Sequence, residues 1–240
     1  MKLHELFSDI PCSIVGGDAE VTAIECDSRN VGPGCLFACV VGTFQDGHQY
    51  AAAAAEQGAS ALLVERELPI GLPQVVVEDS RKALALAASA FYGHPSQKMR
   101  MVGVTGTNGK TTTTYMLKAV AERAGYKVGL IGTIRNLIGE TVIPANHTTP
   151  DAAELHRILR RMADEGVEVC IMEVSSHSLV QHRVYGIDYD VAVFTNLTQD
   201  HLDYHKTFDN YLAAKRILFL QAKKAEVGGQ AVLGRQRAMT

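Results

Sequence analysis

The chain has 240 residues, 47% of them apolar and 20% charged, with a formal net charge of −3 at pH 7. So even a balance excludes the basic face of a nucleic-acid binder or of a protein held on an anionic membrane. No segment approaches the roughly 20 apolar residues of a membrane span, the start has no run of signal-peptide length, and the five cysteines (Cys12, Cys26, Cys35, Cys39, Cys170) form no C-x-x-C pair, which suits reduced thiols in a cytoplasmic protein.

Residues 1–93 alternate short apolar runs with glycine-rich turns. Residues 36–41 and 61–64 read as strands. The alanine-rich stretch 50–57 reads as a helix stopped by Gly58, and 80–92 as a second helix. Gly93-His94-Pro95-Ser96 then breaks the chain. The expected organisation is one domain over 1–93, a linker over 94–98 and a second domain over 99–240. In that second domain, strands expected at 101–105, 128–131, 169–174 and 191–195 alternate with helices at 111–124, after Thr149-Pro150, and at 208–221. Thr149 is expected to cap the middle helix, with Pro150 in its first turn. Leu155, Ile158, Leu159 and Met162 there fall at i, i+3, i+4 and i+7. Strands separated by helices of this length predict an α/β fold with a mostly parallel sheet covered on both faces.

The strongest local signal is Gly103-Val104-Thr105-Gly106-Thr107-Asn108-Gly109-Lys110-Thr111-Thr112, between a buried strand and a helix. Glycines let backbone N–H groups curl around phosphate oxygens, and the helix N-terminus adds its positive end. Lys110 supplies a charge for the outer phosphates and Thr111 a hydroxyl for Mg²⁺. The general phosphate-loop spelling puts glycine where Val104 stands, so the plain motif is not met. Val102-x-Val104-Thr105-Gly106-Thr107-Asn108-Gly109-Lys110-x-Thr112 instead resembles the loop of the Mur ligases. Folylpolyglutamate synthases carry a similar one and are the rival enzyme reading. Both families make an acyl phosphate from a carboxylate and ATP and let an amine attack it, so the loop alone implies a reaction class.

Further stretches, from about residue 22 to about residue 222, resemble the MurE-type members, which act on UDP-N-acetylmuramoyl-L-alanyl-D-glutamate. Asp27-Ser28-Arg29, Pro33-Gly34-x-Leu36-Phe37 and Gly42-x-x-x-Asp46-Gly47-His48-x-Tyr50 look like that family's UDP-binding domain. The resemblance implies nucleotide contacts at Ser28, Thr43, Phe44 and Gln45. It implies muramoyl-peptide contacts at His147, Thr148, Thr149, Ser175, Gln181 and Arg183. His147 stands where members commonly have asparagine. Arg183 suits a carboxylate through its planar fork. Glu173, at the end of an expected parallel strand, is placed to hold Mg²⁺, and His201, in Asp200-His201-Leu202-Asp203, matches a metal ligand. The hard oxygen chemistry of an ATP ligase argues against zinc here. From the residues alone Lys215 reads as a surface helix position; the resemblance implies that it carries a CO₂-derived carbamate and helps position a metal.

Taken together, the resemblance implies a small N-terminal α/β UDP-binding domain followed by a mostly parallel-sheet ATPase domain. ATP would bind at Gly106, Thr107, Asn108, Gly109, Lys110, Thr111 and Thr112. Thr111, Glu173, His201 and carbamylated Lys215 would hold Mg²⁺, and Lys110, Lys215 and His201 would be catalytic. The implied partners are a UDP-N-acetylmuramoyl dipeptide and a diamino acid, diaminopimelate before lysine, for a monomer in peptidoglycan synthesis. After Gln230-Ala231-Val232-Leu233 the family usually continues Asn-x-Asp-Asp, whereas this chain reads Gly234-Arg235-Gln236 and stops at Thr240. The expectation is therefore an incomplete central domain without the family's C-terminal amino-acid-binding domain: a shortened or frame-shifted coding sequence, or a fragment that binds the UDP precursor without ligating.

Overall fold

The computed structural model describes residues 1–42, 45–222 and 232–233. The chain divides into two compact units, Met1–Gly93 with Ala152–Arg157, and His94–Asp151 with Ile158–Thr240. Both are α/β. No helix among the described residues is long and apolar enough to cross a membrane.

The first unit contains α1 (Leu3–Leu6), β1 (Ser13–Val15), β2 (Ala23–Glu25), β3 (Cys35–Ala38), α2 (Ala51–Glu56), β4 (Ala61–Val64), β5 (Gln74–Val76) and α3 (Ser80–Phe91). The sheet order is β1-β5-β4-β3-β2; β2 to β5 run parallel, and β1 pairs antiparallel with β5. One face packs Phe37, Leu62 and Val64 against Ala51 and Ala54 of α2. Five consecutive alanines make α2 a strong helix former despite its length. Asp79 caps α3 by accepting from the backbone N–H groups of Arg81 and Lys82. Two expectations shorten here. The strand expected over 36–41 ends at Ala38, because the backbone turns to bring Gly47 N–H onto Val40 O at 2.9 Å. A Cβ at Gly47 would lie 2.7 Å from Val40 N and O, so only glycine fits that approach. The helix expected from residue 50 is preceded by a 3₁₀ turn over Gly47–Tyr50 and starts at Ala51.

The second unit contains β6 (Arg100–Thr105), α4 (Lys110–Arg123), β7 (Val128–Ile131), β8 (Asn136–Ile138), β9 (Thr141–Ile143), α5 (Ala152–Asp164) from Ile158 onward, β10 (Val169–Glu173), α6 (Ser176–Val180), β11 (Val191–Phe194), α7 (Leu202–His205), α8 (Phe208–Leu220) and β12 (Val232–Leu233). Its sheet runs β12-β11-β6-β10-β7-β8-β9, parallel from β12 to β7 and antiparallel in the β7-β8-β9 meander. Strand alternation divides the packing. Val104, Val128, Val169 and Ile171 meet Leu117 and Ala121 of α4 on one face. Gly103 and Gly129, out of phase with those valines, face the other way. A Cβ at Gly103 would meet Tyr189 and Leu218 of α8, and one at Gly129 would meet Met162 of α5. The stripe Leu155, Ile158, Leu159 and Met162 is buried.

One capping expectation is overturned. α5 begins at Ala152, beyond Pro150, so Thr149 is not at its cap. The Thr149 hydroxyl instead donates to Glu173 O at 2.9 Å and accepts from Ser175 N–H at 3.2 Å, which ties the segment before α5 to the end of β10.

Candidate active site

In the second unit the parallel register sets the strand ends side by side. Glu173 pairs with Val104, Met172 with Ile131, and Phe194 with Thr105. The loops leaving β6, β7, β10 and β11 therefore emerge at one edge, where open parallel sheets bind ligands.

The loop between β6 and α4 has the form its glycines predict. Gly106 has φ 148° and Gly109, at the start of α4, φ 82°. A Cβ at Gly106 would collide with Thr195 Oγ1. No side chain caps the first turn of α4, which leaves helix N–H groups for an anion. The segment after β11 braces the loop from outside. Thr107 N–H donates to Asn196 O at 2.9 Å, Asn108 N–H to Asn196 Oδ1 at 3.0 Å, and the Thr195 hydroxyl to Asn108 O at 2.6 Å. Thr107 Oγ1 accepts from Thr198 N–H at 3.0 Å and sits 3.2 Å from Tyr211 Oη. Thr112 is exposed on the outer side of the first helical turn.

Two lysines converge on one carbonyl. Lys110 Nζ donates to Gly106 O and Thr107 O, each at 2.9 Å, and Lys215 Nζ donates to Gly106 O at 2.8 Å. Lys215 is 2% exposed, over the Tyr211 ring at 4.2 Å, and so is not the surface helix position expected of a lysine. Burial first, then the charge of Lys110, pushes its amine down to about 7, against the opposing pull of Asp200. Burial also lowers Lys110, countered by Glu173 and Asp200.

Glu173 closes the other side. The Thr111 hydroxyl lies 3.0 and 3.1 Å from its two oxygens. Thr133 N–H donates to Oε1 at 3.0 Å, and the Thr133 hydroxyl is 3.1 Å from Oε2. Thr111 gives its proton to the carboxylate, so its lone pairs are left for a cation. With the Glu173 carboxylate this is a hard-oxygen donor set of the kind Mg²⁺ takes alongside phosphate and water. His201 makes ring contacts to His177 at 4.8 Å and to Tyr211 at 6.2 Å.

The residues assigned to the muramoyl peptide divide. Thr148, Thr149, Ser175, Gln181 and Arg183 form a connected group, while His147 is exposed on the segment before α5. The Arg183 fork is already engaged. Nε and Nη2 donate to Gln181 Oε1 at 3.0 and 2.7 Å, and Nη1 donates to Thr149 O at 2.9 Å. In this arrangement the fork orients Gln181 and Thr149. Gln181 Nε2 is thereby turned toward Tyr204 Oη at 3.5 Å. The Ser175 oxygen accepts from Ser178 N–H and caps α6. In the first unit, Ser28 opens a 3₁₀ turn capped by Asp27, and Gln45 Oε1 accepts from Tyr50 Oη at 2.9 Å. Thr43 and Phe44 lie outside the described residues.

Sequence reasoning assigned no role to Thr133, Tyr204, Tyr211 or the bracing by Thr195, Asn196 and Thr198. Only Thr195-Asn196 carried a signal, as polar residues directly after a parallel strand.

The family model described as "Mur ligase middle domain" matches residues 104–238, and the one described as "Mur ligase family, catalytic domain" matches residues 20–92. The chain is 55% identical over 223 residues to a UDP-N-acetylmuramoyl-L-alanyl-D-glutamate--2,6-diaminopimelate ligase of Geobacillus thermodenitrificans, covering 92% of this chain and 46% of the relative. A solved structure of a UDP-N-acetylmuramoyl-L-alanyl-D-glutamate--2,6-diaminopimelate ligase matches with a TM-score of 0.72 at 31% identity, over 85% of this chain and 42% of that one. MurF ligase from Thermotoga maritima, in complex with ADP, matches with a TM-score of 0.58 at 25% identity, over 84% and 43%. The chain spans about half the length of the curated relatives it matches. With a middle-domain match over more than half of its residues, a phosphate loop of the expected form and two α/β units, this chain belongs to the Mur ligase family.

Proposed function

We propose that the chain supplies the UDP-precursor-binding and ATP-binding parts of a ligase that joins diaminopimelate to UDP-N-acetylmuramoyl-L-alanyl-D-glutamate. The observation that carries this reading is the meeting of Lys110, Thr111, Glu173 and Lys215 around one glycine loop at the sheet's C-terminal edge. The printed name of the Geobacillus relative supports the choice of precursor and of diaminopimelate. In this reading residues 1–93 bind the uridine nucleotide through Ser28 and the Thr43-Phe44-Gln45 loop, and residues 99–240 bind ATP and the muramoyl peptide.

The loop amides over residues 106–112 and Lys110 hold the ATP phosphates. The D-glutamate carboxylate of the precursor takes the γ-phosphoryl group and ADP leaves; the amine of the diamino acid then displaces phosphate and forms the amide. Positioning and charge neutralisation carry most of this chemistry. Mg²⁺, when bound through Thr111 and Glu173, with His201 and Lys215 as further proposed ligands, supplies charge neutralisation at the phosphates. Lys215 fits the carbamate role because burial lowers its amine to about 7, so that a substantial neutral fraction is present at physiological pH. The lone pair of the neutral amine adds to CO₂, one proton is released, and the neutral group becomes a carbamate of charge −1. The protein works as a cytoplasmic monomer in cell-wall synthesis.

Calorimetry on the 240-residue chain tests the substrate assignment. UDP-N-acetylmuramoyl-L-alanyl-D-glutamate should bind at least about tenfold more tightly than the same molecule without D-glutamate, one charged hydrogen-bonded group being worth that much. Equal affinity for the two ligands contradicts the assignment.

A further inference from the structure

Thr133 lies just past β7, and no sequence motif draws attention to it. Its N–H donates to Glu173 Oε1 at 3.0 Å, and its hydroxyl lies 3.1 Å from Glu173 Oε2 and 3.0 Å from Thr148 Oγ1. A threonine hydroxyl has one proton and two lone pairs, and an ionised carboxylate only accepts. The Thr133 proton therefore goes to Glu173, and the Thr148 hydroxyl donates to Thr133. The preceding residue makes the approach feasible, since a Cβ at Gly132 would collide with Glu173 Oε1. A carboxylate on a free terminal torsion turns in a broad, roughly two-fold well. Here one residue grips both oxygens, while Thr111 reaches the same group from α4.

We propose that Thr133 is a positioning residue. It fixes the plane of the Glu173 carboxylate at the phosphate loop and, by taking the Thr148 proton, leaves Thr148 only lone pairs to offer a ligand. A ligand at Thr148 must then donate an N–H or O–H; a carboxylate would meet oxygen lone pairs. The proposal rests on the reading of this edge as a nucleotide and Mg²⁺ site. It adds a residue to that site that touches neither nucleotide nor metal and acts through Glu173, as outer hydrogen-bond partners of metal ligands do.

The test is ADP binding to the 240-residue chain, by calorimetry, with Mg²⁺ and with EDTA. It compares the unmodified chain with Thr133→Val, Thr133→Ala, Thr133→Ser and Lys110→Ala. Thr133→Val and Thr133→Ala should lose about tenfold of the affinity that Mg²⁺ adds, with metal-free ADP affinity unchanged, and Thr133→Ser should keep it. A purely structural role would lower metal-free binding equally. If Val misfolds, Ala decides. A Mg²⁺ increment equal to that of the unmodified chain in both variants overturns the proposal alone. An unmodified chain that binds no ADP, or a Lys110→Ala chain that binds it fully, overturns the nucleotide reading and this proposal with it.

Discussion

The two units bury polar side chains in different ways. In the first unit the buried polar groups serve the backbone near them. Gln74 donates to Leu68 O and Ile70 O and accepts from Leu68 N–H, and the Ser80 hydroxyl donates to Glu65. His48 accepts from Glu65 N–H through Nε2, so its proton sits on Nδ1 and points to Asp46 Oδ1 at 2.5 Å. Arg66 also pairs with Asp46, and it is first among the causes that hold that carboxyl well below the usual range. These partners lie between 2 and 20 residues apart. In the second unit Thr111 reaches Glu173 across 62 residues and Lys215 reaches Gly106 across 109. Buried polar groups that answer to a local turn hold that turn. Groups drawn together from four separate elements, with two lysine amines on one carbonyl, do not stabilise the fold by themselves and point to a ligand.

The largest expected effect is at Gly106. Gly106→Ala forces a Cβ onto Thr195 Oγ1 at a φ that non-glycine residues avoid. It should cost on the order of 3 kcal/mol in urea unfolding and abolish ADP binding in calorimetry. Stability within experimental error of the unmodified chain would show that the loop is not held as described. Next is His48. His48→Ala removes an interior link between Glu65 and Asp46 and should destabilise by about 2 kcal/mol, with ADP affinity unchanged. A drop in ADP affinity would break the division drawn between the units.

The smallest effect is a slope. Lys215 falls from the ordinary lysine value of 10.5 to about 7 in the folded chain. Below pH 7 both folded and unfolded chains carry the proton, and the burial penalty is full. Between the two values the unfolded chain holds a proton that the folded chain has released, so stability rises with pH, by about 1 kcal/mol per unit. Lys215→Met has no such proton. In CO₂-free buffer its stability advantage in urea should therefore shrink from pH 7 to pH 9; an advantage constant with pH would mean that the amine is not depressed.

How much of this was legible follows from how local each feature is. The phosphate loop was readable because its backbone conformation is written in Gly106 and Gly109, and the strand over 61–64 because four apolar residues between turns leave little choice. The β8–β9 hairpin was missed although Gly139-Glu140 marks its turn, since each strand has only three residues. β1, β2 and β5 are equally short. Lys215 was assigned by resemblance alone, yet Tyr211, Ala214 and Leu218 are buried beside it at helical spacing. A lysine inside an apolar stripe was a signal available without any relative. Thr133 left no such trace, because its role exists only once residues 133, 148 and 173 are folded together. The tie from Arg183 to Gln181 and Thr149 left no trace for the same reason: it depends on the guanidinium turning back onto a residue two positions away.

The reading of the glycine-loop edge as a nucleotide site is tested most directly by ADP calorimetry with Mg²⁺ on the unmodified chain and on Lys110→Ala, with thermal melting of both. Lys110 lies at a helix start, and its amine donates to the loop carbonyls of Gly106 and Thr107. Lys110→Ala should lose about a hundredfold in affinity, roughly 2.7 kcal/mol, with the melting temperature within a few degrees of the unmodified chain. Equal ADP affinity in the two chains would contradict it.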